Sequence, residues 1–174
     1  MDYALRAAAS NISRVYFHHG TVGACQYCFW GRYSMGAPYY GATAAVALMA
    51  GARTLAALDA GATNYAAYAS FDGEGRPLRV LLYNSDYYAG SGTRTAQAFT
   101  LTGLGAGTVR AKRLTAPAGS GARVDKGDAM SFGGQQWTDG TCVVARAETF
   151  ETVKVENGQA VFEVKATEAL VVYL

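Results

Sequence analysis

Apolar positions in residues 1–52 recur mostly with the period of an α-helix. Residues 2–10 predict an amphipathic helix, and residues 14–18 form a short β-branched and aromatic run that predicts a strand. A Gly- and Tyr-rich loop covers residues 19–36. Residues 38–50 predict a second helix, with a proline near its start and a glycine just past its end. The order helix, strand, loop, helix is typical of one piece of a parallel α/β architecture.

From Arg53 onward the apolar positions recur every second residue, which is the period of half-buried strands. A hairpin is indicated by Asn157 and Gly158, because both residues tolerate the positive φ of a type I′ turn. Short strands at this spacing predict an antiparallel β-sandwich, and the change of period places a domain boundary between residues 1–52 and 53–174. The predicted strands are residues 63–71, 78–83, 97–101, 109–114, 143–147, 151–155, 160–164 and 170–174.

Composition narrows the classes of protein. The chain has 174 residues, 16% charged residues and a net charge of +2, so nucleic acid is not an expected partner. It is too short for a complete (β/α)₈ barrel, which needs about 250 residues. The longest apolar run, residues 42–51, is too short to span a membrane. The first residues lack the apolar core of a signal peptide and resemble the middle of a helix, so we expect a longer natural protein.

Three cysteines are the first candidates for chemistry. A thioredoxin-like role for the C-x-x-C pair of Cys25 and Cys28 is disfavoured by its Gly- and Tyr-rich surroundings. A zinc site could draw on these two thiols with His18 and His19, but neighbouring strand residues point to opposite faces. We favour one disulfide among Cys25, Cys28 and Cys142 with the pairing open, and we predict no metal and no cofactor.

The scarcity of carboxylates in residues 1–52 is the strongest sign against catalysis by this chain alone. A usual glycosidase needs one carboxylate to protonate the leaving oxygen and another as nucleophile or base, yet residues 1–52 contain only Asp2.

The glycine-rich segment 103–107 approaches a nucleotide-binding pattern, but a strand follows it, which predicts a hairpin loop. Asn11 begins an N-glycosylation sequon. Clustered tyrosines suit sugar binding, and an interface between domains explains them equally well.

Several segments resemble one family. RVYFHHGT at 14–21 and GRYSMGAPYYG at 31–41 look like the end of the catalytic barrel in glycoside hydrolase family 79, the β-glucuronidase and heparanase-like family, and are most similar to its fungal members. RVLLYNSD at 79–86, KRLTAP at 112–117 and EALVVYL at 168–174 are similar to its C-terminal β-domain. The resemblance implies a mostly β fold, an antiparallel sandwich preceded by the last strand and helices of a truncated barrel.

The resemblance also implies a function. Members are retaining glycosidases with two catalytic glutamates late on barrel strands four and seven. In that register residues 14–18 are strand eight, so both glutamates lie upstream and no catalytic residue is assigned here. The loop after strand eight supplies a glycine N–H and a tyrosine hydroxyl for the uronate carboxylate. Gly20 and Tyr27 match these donors, and His18 and His19 flank the same site.

We therefore expect the C-terminal part of a secreted β-glucuronidase-type enzyme that acts on a glycan containing glucuronic acid. Its intramolecular partner would be the missing N-terminal barrel, and this chain alone would be inactive. The alternative is a non-catalytic carbohydrate-binding or structural β-sandwich module.

Overall fold

The computed structural model describes residues 1–18, 28–30, 35–138, 141 and 143–174. Its described part is mostly antiparallel β-structure with two α-helices near the start, which confirms the predicted fold class. The helices are α1 (Asp2–Ala9) and α2 (Ala37–Met49). The strands are β1 (Thr54–Ala57), β2 (Tyr65–Phe71), β3 (Pro77–Asn84), β4 (Ala96–Thr102), β5 (Gly107–Thr115), β6 (Ser131–Phe132), β7 (Glu151–Val155), β8 (Gln159–Lys165) and β9 (Glu168–Tyr173).

Seven strands form the larger sheet, in the order β1-β2-β3-β9-β5, with β6 and β7 both pairing with the outer side of β5. Strands β4 and β8 form a separate two-stranded sheet. The side chains of β8 alternate between buried and exposed, with Ala160, Phe162 and Val164 turned inward. They pack with Leu82 and Val172 of the larger sheet, and this contact is the core of the sandwich.

The other face of the larger sheet is covered by the helices. Ala44 and Leu48 of α2 are four residues apart and fully buried, as the helical period requires. Together with Leu5 of α1 they pack against Leu81 and Val171. The central strands are therefore buried on both faces, and the described part has three layers: helices, large sheet and small sheet.

The end of helix α1 and the start of helix α2 both follow from local sequence. Helix α1 ends where Asn11 adopts a left-handed conformation with φ 60°, and the Ile12 N–H then bonds back to the Ala7 carbonyl at 2.9 Å. Asparagine is one of the few residues that accept this conformation readily. Helix α2 begins with Pro38 in its first turn, where the missing N–H costs no helical hydrogen bond.

The predicted tight turn at Asn157 and Gly158 forms, since their φ values are 51° and 73° and one bridge joins Glu156 to Gln159, but β7 and β8 do not pair as a hairpin beyond that bridge. The two strands separate directly after the turn, because β7 joins the large sheet and β8 the small one. The segment 103–107 was predicted as a hairpin loop, which is wrong. It connects β4 to β5, which lie in different sheets and do not pair.

Two predicted strands are absent. Residues 143–147 contain a single bridge between Val144 and Trp137 rather than a strand. Residues 14–18 form no β-ladder with any described residue. A parallel strand takes its hydrogen bonds from neighbouring strands, and no described strand lies alongside this segment.

Candidate functional site

The predicted sugar-binding residues follow helix α1 in the sequence. His18 is exposed at the end of the described stretch 12–18. Asn11, the sequon asparagine, is also exposed. The remaining predicted site residues lie outside the described residues: Gly20, Tyr27, His19, Cys25 and Cys142. Their roles stay predictions.

The structure describes two parts of the C-terminal half of the predicted loop 19–36, namely residues 28–30 and 35–36. Trp30 and Met35 form an antiparallel bridge, and the Gly36 N–H donates to the Phe29 carbonyl at 2.8 Å. A Cβ added at Gly36 would lie 1.8 Å from the carbonyl oxygen of Cys28. Only glycine permits this close approach of two backbone segments, so Gly36 fixes the base of the loop directly before α2.

Cys28 is buried and takes part in a disulfide. Its partner lies outside the described residues, so the pairing remains open. A covalent link at Cys28 limits the conformations available to the residues that it joins.

An aromatic row joins helix α1 to the loop. It consists of Tyr3, Phe17, Phe29 and Trp30, whose successive ring centroids lie 6.0, 5.7 and 6.0 Å apart. Tyr3, Phe17 and Trp30 are 68%, 47% and 55% exposed, which is unusual for large aromatic side chains. Phe17, which precedes His18 in the sequence, lies in the middle of this row.

Helix α1 is fixed to the sheet by a polar network. Arg6 Nη2 donates to Asp59 Oδ1 at 2.7 Å, and Asp59 also accepts from the N–H groups of Gly61 and Ala67. Burial alone would raise the pKa of Asp59, but the Ala67, Arg6 and Gly61 donors outweigh it and hold that pKa below its ordinary value. Asp59 therefore stays ionised and anchors the helix from which residues 12–18 leave.

The start of helix α2 is held from the opposite side. The rings of Tyr39 and Tyr40 lie 5.5 and 5.0 Å from the ring of Trp137, and the Tyr40 hydroxyl accepts from the Trp137 N–H at 3.3 Å. The sequence did not predict this contact, because it joins residues almost one hundred positions apart. The clustered tyrosines that could signal sugar binding thus include two that pack an internal interface.

The carboxylates of the sandwich hold structural ion pairs. Glu168 is buried, and it accepts from Arg113 Nη1 at 2.6 Å and from the Thr115 hydroxyl at 2.6 Å. Arg113 also forms a two-pronged pair with Glu151, at 2.5 and 2.7 Å. Burial would raise the pKa of Glu168, but Thr115 and Arg113 lower it below the ordinary value. Glu168 is therefore ionised at neutral pH and acts as a structural partner of Arg113 and Thr115.

No group of three or more His, Cys, Asp or Glu side chains within the described ranges could hold a metal ion. No helix in this part of the chain is long and apolar enough to cross a membrane.

Comparison with known proteins agrees with the sequence resemblance. Residues 65–171 match the family model for the glycosyl hydrolase family 79 C-terminal beta domain. A solved structure, the 4-O-α-L-rhamnosyl-β-D-glucuronidase from Fusarium oxysporum 12S in complex with Rha-GlcA, is 53% identical with a TM-score of 0.85. The alignment covers 91% of this chain and 34% of that one, so this chain spans about a third of that enzyme's length. No curated protein matches. The predicted resemblance is thus confirmed, and the chain belongs to glycoside hydrolase family 79.

Proposed function

We propose that this chain acts as the C-terminal part of a retaining glycosidase of the β-glucuronidase type, with the two catalytic glutamates on an upstream barrel. The observation that carries the proposal is the 53% identity to a rhamnosyl-glucuronidase over 91% of the chain. An alignment of that extent reaches well outside residues 65–171 and so includes residues of the helical region. The substrate class is a glycan that contains glucuronic acid.

The sandwich supports the barrel through the helical layer. Helices α1 and α2 bury one side against the large sheet through Leu5, Ala44 and Leu48. Val46 lies on the opposite side of α2 and is 68% exposed, and the aromatic row is exposed beside α1. Apolar area of this kind on an outer surface is typical of a face that packs against further protein. The N-terminal barrel is the intramolecular partner that we assign to it.

The loop after residue 18 closes one wall of the sugar site. Gly20 donates its backbone N–H and Tyr27 its hydroxyl to the uronate carboxylate, while His18 and His19 flank the same wall. The close approach of Gly36 to Cys28 supports this role, because it fixes the base of the loop. The parent enzyme is assigned to the extracellular space, since disulfides persist in oxidising compartments. Exposure of Asn11 is compatible with glycosylation there.

A chimera tests the proposal. Residues 2–174 replace the aligned part of the F. oxysporum rhamnosyl-glucuronidase, and hydrolysis of its rhamnosyl-glucuronide substrate is measured. We expect a folded, active chimera, because the chain is 53% identical to that enzyme over 91% of its length and has the same fold there, with a TM-score of 0.85. The matched control carries Leu48→Asp, which places a charge in the buried contact between α2 and the sheet.

Two outcomes contradict the proposal. One is a chimera that folds, by its thermal unfolding, but shows no activity. The other is hydrolysis of an aryl β-glucuronide by the 174-residue chain alone that disappears when one of its own Asp or Glu residues is substituted.

A further inference from the structure

A row of paired residues crosses five strands on the helix-facing side of the large sheet. In register from β2 to β7 it consists of Ser70, Arg79, Tyr173, Arg110 and Thr152. Tyr173 therefore lies between two arginines that are two strand spacings apart, or about 10 Å. Residues directly opposite one another across antiparallel strands share a face, so both guanidinium groups lie on the same side of the sheet as the Tyr173 ring.

Cations and aromatic rings alternate at this place. Arg79 lies over the ring of Tyr173, with its Cζ 5.2 Å from the centroid, and Arg110 lies over Phe150 at 3.7 Å. Lys112 Nζ is 5.1 Å from the Phe150 centroid and 5.7 Å from that of Tyr173. The Phe150 and Tyr173 rings meet edge to face at 5.6 Å. These five residues are called the cation–aromatic strip below.

The positive charge of the strip is only partly balanced. Lys112 forms an ion pair with Glu148. Neither Arg79 nor Arg110 has a carboxylate partner among the described residues. Arg79 donates one Nη1 N–H to the Ala50 carbonyl at 2.6 Å, and its Nε is buried, so its remaining Nη groups are the donors left for a ligand. Arg110 is exposed.

The ring contacts position these donors for a ligand. A guanidinium held over a ring by a cation–π contact can still donate from the outer edge of its planar fork. The fork matches a carboxylate, which it can bind through two parallel hydrogen bonds. Because the rings immobilise the side chains beforehand, a ligand has less conformational entropy to remove on binding.

We propose that the cation–aromatic strip is a binding surface for an acidic polysaccharide, in which Arg79 and Arg110 hold uronate carboxylates on successive parts of one glycan chain. The surface uses none of the residues predicted for the loop after residue 18. The choice of uronate over other anions rests on the proposed function, because the substrate of that function carries the same carboxylate. The strip would keep a polymeric substrate bound to the β-domain.

Affinity electrophoresis of the 174-residue chain tests the proposal with three polymers: polygalacturonate, neutral galactan and dextran sulfate. We expect retardation by polygalacturonate and none by galactan, with retardation that weakens as NaCl is added. The double variant Arg79→Gln/Arg110→Gln should bind polygalacturonate at least about tenfold more weakly, since hydrogen bonds to charged groups contribute that much each. Arg110→Gln alone tests an exposed position, so a weakened affinity there is independent of any folding defect at Arg79.

The charge-matched control is Arg146→Gln/Lys165→Gln. Both residues are exposed and form no ion pair with described residues, and the change in net charge is the same. It should leave polygalacturonate binding unchanged. Equal losses in control and strip variants would overturn the proposal, as would an absence of polygalacturonate binding. Binding to dextran sulfate alone would overturn the uronate assignment.

Different results would contradict the strip as a binding surface and the proposed function. The strip variants placed in the chimera should keep their hydrolysis of a small rhamnosyl-glucuronide, because that reaction depends on the barrel and the loop. An inactive chimera with intact polygalacturonate binding would contradict only the proposed function.

Discussion

The Tyr68 hydroxyl donates a hydrogen bond of 2.5 Å to Asp2 Oδ1, and this contact joins the middle of strand β2 to the first turn of helix α1. Tyr68 is fully buried, and its ring also lies 4.9 Å from the guanidinium carbon of Arg6. Burial and the Asp2 carboxylate raise the pKa of Tyr68 well above its ordinary value, so the phenol remains a donor at neutral pH. The helix that precedes the predicted sugar-binding loop is therefore held by a buried donor of the sandwich.

Tyr68→Phe should lower the free energy of unfolding by about 1–2 kcal/mol, because the hydrogen bond to a charged but partly solvated carboxylate is lost. Urea denaturation followed by circular dichroism measures the change. Tyr65→Phe is the matched control, since its hydroxyl donates to Asp86 at a half-buried position, whereas Tyr68 is fully buried, so removal of the Tyr65 hydroxyl should change stability less. Equal shifts for the two variants would contradict a specific role for the Tyr68–Asp2 contact.

The stability of the sandwich should depend on pH through Glu168. Its pKa is lower in the folded chain than the ordinary 4.5, so its stabilising contribution is fully present above about pH 4.5 and is lost as pH falls through the folded value. Glu168→Gln should cost about 3 kcal/mol at pH 7, because Arg113 loses a buried partner, and the difference from the unsubstituted chain should shrink as pH falls below 4.5.

Denaturation curves at several pH values between 3 and 7 check the Glu168 prediction. Glu156→Gln provides the control, because this glutamate is 72% exposed in its pair with Lys154. A Glu168→Gln difference that stays constant over the whole range would contradict the assigned ionisation.

Gly36→Ala should destabilise the base of the loop by about 1–3 kcal/mol, the usual cost of overpacking. The new methyl group would meet the Cys28 carbonyl, a backbone atom that cannot turn aside. Thermal unfolding together with tryptophan fluorescence reports the effect, since Trp30 pairs with Met35 beside the substituted position. Gly105→Ala is the control, because no atom lies within 4 Å of its added Cβ and its φ is not positive.

Local patterns predicted much of this fold because they act over a few residues. Helix α2 follows from its proline and its buried positions. The turn between β7 and β8 follows from the backbone freedom of Asn157 and Gly158. Strand β8 alternates cleanly because only one of its faces is buried. In each case the determining residues are neighbours in the sequence.

Features that depend on distant partners were missed or misassigned. Residues 143–147 have the composition of a strand but obtain only one bridge, to Trp137. The three-layer arrangement depends on both faces of β3 and β9 being buried, and an alternating pattern cannot indicate that. The Arg113–Glu168 pair joins residues 55 positions apart, so no local pattern could indicate it. The sugar-binding residues came from family resemblance, and the described structure adds the base of their loop.

Tyr27→Phe in the active chimera provides a test of the sugar-binding assignment. A phenol hydroxyl and a backbone N–H are both donors, and a uronate offers carboxylate oxygens that a neutral hexose lacks. Loss of the Tyr27 hydroxyl should therefore lower kcat/KM for the uronide by about 1.5–3 kcal/mol in free energy, the usual range for a hydrogen bond to a charged group. The corresponding glucoside should be almost unaffected, because its C6 hydroxymethyl group carries no charge. Steady-state rates with the two substrates give the comparison. An unchanged kcat/KM for the uronide would exclude Tyr27 and make Tyr33, in the same loop, the next residue to substitute.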